Sequence, residues 1–158
     1  MRTILVSIAL LLLTQVSGAS EIQNILGVVP GEISTIKGKS TGGPIEILRM
    51  PTPDKDLSNI YPDLEIMISR ENRKVIGVGS KRAYSVLREC EDVQEEVRGI
   101  LKAIFPGIYK GNDPRWQYES EEKGITAGVT CESSSPYPVL RLDVTHTATN
   151  EEILKLFR

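Results

Sequence analysis

The sequence predicts an α+β fold, in which an antiparallel sheet built from hairpins carries one main helix on one face and a short helix follows at the C-terminus. Three observations lead to this fold class. Several segments alternate between apolar and polar residues with the period of a strand, and hairpin-length turns join them. One long segment has the apolar spacing of an amphipathic helix. The two cysteines are placed to join that helix to a strand, and the 158 residues suffice for one domain.

Residues 1–19 have the features of a signal peptide. Arg2 supplies a positive charge, residues 4–13 are almost wholly apolar, and small residues precede a cleavage site after Ala19. The apolar run is shorter than the roughly 20 residues that a membrane-spanning helix needs, so we expect no transmembrane anchor after cleavage. The sequence therefore predicts an exported protein, periplasmic or extracellular, with a single α+β domain over residues 20–158.

Residues 20–62 form the least regular part of that domain, because prolines and glycines interrupt it repeatedly. Residues 22–26 fit one short helical face, and residues 45–49 alternate as a strand. The closely spaced prolines that follow exclude a central strand and predict a loop over residues 51–62.

The first hairpin is predicted from residues 64–68 and 74–79, which alternate on either side of a polar turn. The main helix follows and ends at Pro106, since proline cannot continue a helix. Acidic residues dominate its early turns and Lys102 stands in its last turn, the order that the helix dipole favours. Its predicted buried stripe consists of Leu87, Cys90, Val93, Val97, Ile100, Leu101 and Ile104.

A second hairpin is predicted from residues 115–119 and 125–131, and residues 140–144 add a further strand. The sequence from Thr149 to Glu152 fits a capping box, which predicts a short terminal helix that begins there.

Cys90 and Cys131 are predicted to form a disulfide between the main helix and the strand over residues 125–131. Both lie on the apolar side of their elements, and an even number of cysteines in an exported chain favours pairing. A thiol nucleophile or a metal-binding pair is the alternative, but the chain has one histidine and lacks the C-x-x-C spacing.

Three segments together resemble a broad class of small exported bacterial α+β proteins of unassigned activity. They are the hairpin strand from Lys74 to Val78, the cysteine-bearing helix from Glu89 to Leu101, and the strand from Ile125 to Cys131 followed by residues 140–142. The resemblance implies an α+β fold and a periplasmic or secreted location. It implies no reaction.

No pattern in the sequence identifies a catalytic centre, and we expect neither a metal nor a cofactor. His146 is the sole histidine, so any serine–histidine, cysteine–histidine or histidine–metal scheme must use it. The chain lacks the Gly-x-Ser-x-Gly pattern of a nucleophile elbow. One alternative hypothesis is nevertheless a small hydrolase of an envelope polymer that uses Asp143, His146 or the acidic turn residues.

The leading hypothesis is a disulfide-stabilised binding protein of the inhibitor, immunity or envelope-associated type. Its partner is an unknown protein or envelope component, and Trp116, Tyr118 and Tyr137 are the predicted anchors, because large aromatic side chains dominate many interfaces. The net charge of −2 argues against nucleic acid as a partner. A structural subunit of an envelope assembly is a further alternative, and the sequence leaves the oligomeric state open.

Overall fold

The computed structural model describes residues 18–37, 39–40, 42–133 and 136–155. Residues 1–17, most of the predicted signal peptide, lie outside the described residues, so the leader stays a prediction. No helix in the described ranges has both the length and the apolar character needed to cross a membrane. The described α-helices are α1 (Gly18–Leu26), α2 (Lys55–Ile60), α3 (Leu87–Ile104) and α4 (Thr147–Lys155).

Eight strands of the described chain form one antiparallel sheet in the order β1-β2-β3-β4-β8-β7-β6-β5. The strands are β1 (Lys39–Ser40), β2 (Ile45–Pro51), β3 (Asp63–Ser69), β4 (Val75–Ala83), β5 (Gly107–Ile108), β6 (Tyr118–Ser120), β7 (Ile125–Glu132) and β8 (Val139–His146). The last strand in the chain therefore lies in the middle of the sheet, between β4 and β7, and joins its two halves. This arrangement confirms the predicted antiparallel α+β fold.

The hydrophobic core lies between one face of the sheet and the helices. Ile66, Val78, Val144 and Ala127 are paired across four neighbouring strands, so their side chains share one face, and all four are fully buried. The opposite face carries mostly polar residues and glycines, with Ile47 and Met67 among the apolar exceptions, as is usual for an antiparallel sheet covered on one side.

Helix α3 packs on this face, chiefly against β7. Its predicted stripe is buried at Cys90, Val97, Leu101 and Ile104. Leu87 was predicted to be buried but is 42% exposed. Burial of the helix thus begins one turn later, at the cysteine that is bonded to the sheet.

The predicted disulfide between Cys90 and Cys131 is present, with Cα atoms 6.0 Å apart. Cys90 is fully buried, and one turn further along α3 the side-chain amide of Gln94 donates a hydrogen bond of 2.9 Å to the carbonyl of Val129. A covalent bond and a hydrogen bond therefore attach successive turns of α3 to the same strand.

The prediction of a continuous loop over residues 51–62 was wrong, because α2 lies within it. The Asp54 carboxylate accepts a hydrogen bond of 2.8 Å from the Leu57 N–H and so caps the helix, while Leu57 and Ile60 are buried in the core. Closely spaced prolines exclude a central strand, but they are compatible with a helix that starts just after them.

Candidate functional site

A large cavity lies where the C-terminal half of α3 meets the end of the sheet formed by β5 and β6. Its volume is about 610 Å³, and we call it the aromatic cleft. By comparison, a furrow on the opposite face of the sheet measures about 240 Å³. The aromatic cleft is lined by Phe105, Pro106, Gly107, Ile108, Tyr109, Trp116, Gln117 and Tyr118, and by Glu95, Arg98 and Lys102 of α3.

The end of α3 forms one wall of the cleft. The helix ends before Pro106, which has no N–H to donate and cannot continue the helix, and the N–H of buried Phe105 closes the last turn on the Leu101 carbonyl. The chain then enters β5 through Gly107. A Cβ atom at this position would lie 2.8 Å from the Glu119 carbonyl oxygen, so glycine lets β5 approach β6 closely.

A charged turn holds the segment that leads to Trp116. The Arg115 guanidinium forms a bidentate pair with Asp113, with Nη2–Oδ2 at 2.6 Å and Nε–Oδ1 at 3.0 Å. The hydrogen bond and charge of Arg115 lower the pKa of the Asp113 carboxyl below its ordinary value. The Trp116 N–H donates to the Asp113 carbonyl at 3.2 Å, so the turn fixes the backbone of the tryptophan.

Gln117 attaches the same segment to β7. Its backbone N–H donates to the Ala127 carbonyl at 3.0 Å, and its side-chain oxygen accepts from the Val129 N–H at 2.9 Å. Between these two residues, a Cβ on Gly128 would lie 1.8 Å from the Arg115 carbonyl oxygen. The segment therefore crosses β7 at a position where no side chain fits.

The structure brings two of the three predicted anchors together. Trp116 and Tyr118 both line the aromatic cleft and are partly buried. The prediction that they share a strand was wrong in detail, because β6 begins at Tyr118 and Trp116 lies in the preceding segment, just after Pro114. Tyr137 is 60% exposed and is not among the cleft residues. Its predicted role stays a prediction, and Ser134 and Ser135 beside it lie outside the described residues.

The charges at the cleft are concentrated on α3. Arg98 pairs through Nη1 with Glu95 on the same helix, while its Nε is buried and has no hydrogen-bond partner among the described residues. Lys102, one turn further on, is exposed. The cleft therefore combines an aromatic wall with a paired arginine and an exposed lysine.

His146 serves as a helix cap. Its Nδ1 accepts a hydrogen bond of 3.2 Å from the Thr149 N–H and lies 2.8 Å from the Thr149 hydroxyl oxygen. Helix α4 thus begins at Thr147, and the predicted start at Thr149 was wrong. Burial, and then the charge of Lys74, lower the pKa of His146 below its ordinary value. A neutral imidazole is the form that can accept at Nδ1.

Asp143 lies on the other face of the sheet from His146, because the two are three residues apart in β8. It pairs with Gly79 on one side and Gly128 on the other. Burial is the main cause that raises its pKa, nearby Glu132 raises it further, and Arg141 and Arg115 oppose the shift. The structure therefore does not bring Asp143 and His146, two of the candidates of the hydrolase hypothesis, together.

No group of three or more histidine, cysteine, aspartate or glutamate side chains in the described ranges is placed to hold a metal ion. The sequence analysis missed Arg98 and Ile108 as cleft residues. Ile108 carried a signal, since it is an apolar residue isolated between a helix-ending proline and a loop. Arg98 carried no such signal, because it is one of several charged residues on the solvent face of a helix.

In comparisons with known proteins, the chain matches no protein family, no curated protein and no solved structure.

Proposed function

We propose that this protein is an exported, disulfide-stabilised binding domain that captures a protein partner through the aromatic cleft. The observation that carries the proposal is that Trp116 and Tyr118 line one cleft together with Arg98. The segment that holds the two aromatic residues is attached to β7, the strand that also carries Cys131 of the disulfide. Tryptophan, tyrosine and arginine are the residues most enriched among those that dominate binding energy at interfaces. An inhibitor, an immunity-type protein or an envelope-associated protein would all use such a site.

The rigidity of the cleft supports this function. The disulfide and Gln94 attach α3 to β7, and Gln117 attaches the tryptophan segment to the same strand. Both walls of the cleft are therefore fixed relative to β7 before a partner arrives. A preformed site loses less conformational entropy on binding than a flexible one.

The test is capture of a partner by immobilised, oxidised protein from an extract of the cells that make it. Trp116→Ala and Tyr118→Ala are expected to lose a partner that the unchanged protein retains. Ile33→Ala is the matched control, since Ile33 is 71% exposed and does not line the cleft. Retention of the same partner by both cleft variants would contradict the proposal. Tyr137→Ala in the same experiment decides whether the third predicted anchor contributes.

A further inference from the structure

Among the described strands, β5 is the last in the sheet, and none of them pairs with its outer edge. On its other side it pairs with β6, through Gly107 with Glu119 and Ile108 with Tyr118. The N–H of Tyr109 donates to the Gln117 carbonyl on the β6 side. Because the backbone groups of an antiparallel strand alternate in direction, the N–H and carbonyl of the adjacent Ile108 are directed away from β6, toward the free edge.

The side chain at this edge belongs to the aromatic cleft. Ile108 is 72% exposed, lines the cleft and, through its pairing with Tyr118, lies on the helix-covered face of the sheet. A strand added outside β5 would place every second side chain on that same face. A large apolar residue opposite Ile108 would then lie at the mouth of the cleft and cover an isoleucine that is otherwise in water.

The charge around this edge has a small positive excess, because Arg98, Lys102 and Lys110 face two acidic residues, Glu95 of the cleft and Glu119 opposite Gly107. Lys102 and Lys110 are the only charged residues between positions 101 and 112 of the sequence. Arg98 is already paired with Glu95, so the excess of positive charge comes from the two lysines. A segment with carboxylates would therefore be attracted to the edge, and a basic segment would be repelled.

We infer that β5 is a docking edge at which an acidic partner segment in extended conformation adds to the sheet as a further strand and places a large apolar side chain in the aromatic cleft. Addition of a strand to an exposed sheet edge is a common mode of peptide recognition, in which main-chain hydrogen bonds supply affinity and side-chain pockets supply specificity. The inference rests on the proposed function, because it specifies what the same cleft binds.

The test uses synthetic acetylated and amidated nonapeptides with a central phenylalanine and either glutamate or lysine alternating with threonine. Trp116 is the single tryptophan of the chain, so its fluorescence reports on the cleft alone. We expect the glutamate peptide to bind the oxidised protein at least about tenfold more tightly than the lysine peptide at low salt, with a smaller ratio at high salt. Lys102→Glu is expected to weaken the glutamate peptide about threefold to fivefold, and Lys155→Glu on α4 is the matched control.

Strand addition is tested by methylating alternate backbone nitrogens of the bound peptide. In one register the methyl groups face β5 and should weaken binding about tenfold or more, and in the other they face solvent and should not. Binding should also slow hydrogen exchange at the Ile108 amide. Equal affinities in the two registers, unchanged exchange at Ile108, or no binding of the glutamate peptide would overturn the inference. Failure of the proposed function is a different result, in which Trp116→Ala retains the cellular partner.

Discussion

Reduction of the disulfide between Cys90 and Cys131 should remove a large share of the stability of the fold. The bond closes a loop with a sequence separation of 41 residues. The loop-closure relation gives about 4 kcal/mol for this length at 25 °C, because the cross-link removes conformational entropy from the unfolded chain. A domain of this size has a free energy of unfolding of roughly 5 to 15 kcal/mol, so the reduced protein should be marginal.

The assay is urea unfolding of the same protein with and without reductant, followed by Trp116 fluorescence and circular dichroism. We expect the midpoint to fall and the dependence on urea to steepen, since the reduced unfolded chain exposes more surface. The double variant Cys90→Ala, Cys131→Ala controls for effects of the reductant and should be insensitive to it. A loss of less than about 1 kcal/mol on reduction would refute the reasoning, because it would mean that the bond constrains little of the unfolded ensemble.

Three further predictions concern single side chains. The capping role of His146 predicts stability that is fully present above pH 6.5, its ordinary pKa, and that declines as the pH falls below this value, because burial lowers the pKa of His146 in the folded state. In the variant His146→Asn the asparagine caps the helix without titrating. If the melting temperatures of the variant and of the unchanged protein had the same pH dependence, the capping role would be contradicted. Gly128→Ala should destabilise the protein by about 1 to 3 kcal/mol in urea unfolding, because its Cβ would meet the Arg115 carbonyl. Gly99→Ala, in open space on α3, should instead stabilise it by about 0.5 to 1 kcal/mol. Equal effects of the two variants would contradict the close approach of the Arg115 segment to β7. Tyr61→Phe should leave the thermal stability unchanged or raise it, because the buried hydroxyl has no hydrogen-bond partner among the described residues. A decrease in the free energy of unfolding above about 1 kcal/mol would show that the hydroxyl forms a hydrogen bond.

The periodicity of the sequence was sufficient to predict the elements that depend on local pattern. The three- and four-residue spacing from Cys90 to Ile104 predicted α3, and alternation predicted most of β3, β4, β7 and β8. With two cysteines in the chain, one pairing was available. In each case a residue's neighbours in sequence also determine its burial, so no knowledge of distant contacts was needed.

Local pattern failed where a long-range contact decides the conformation. Thr149 has a good capping sequence, yet α4 begins earlier, with the His146 imidazole capping it. The imidazole fits there because Gly31, from a distant part of the chain, has no side chain: a Cβ on it would lie 2.6 Å from the ring. β5 has two residues, too few for an alternating pattern, and exists because Gly107 can approach Glu119.

The sequence by itself determined that Trp116 and Tyr118 were candidate anchors, since side-chain type alone makes them so. Only the tertiary structure decided which surface they share, because the cleft is made by segments that meet through pairing across β7 and the end of α3. The position of β8 between β4 and β7 was likewise decided by tertiary structure. Alternation tells which face of a strand is buried, but it is the same for every order of the strands, so the order depends on how the complete chain packs.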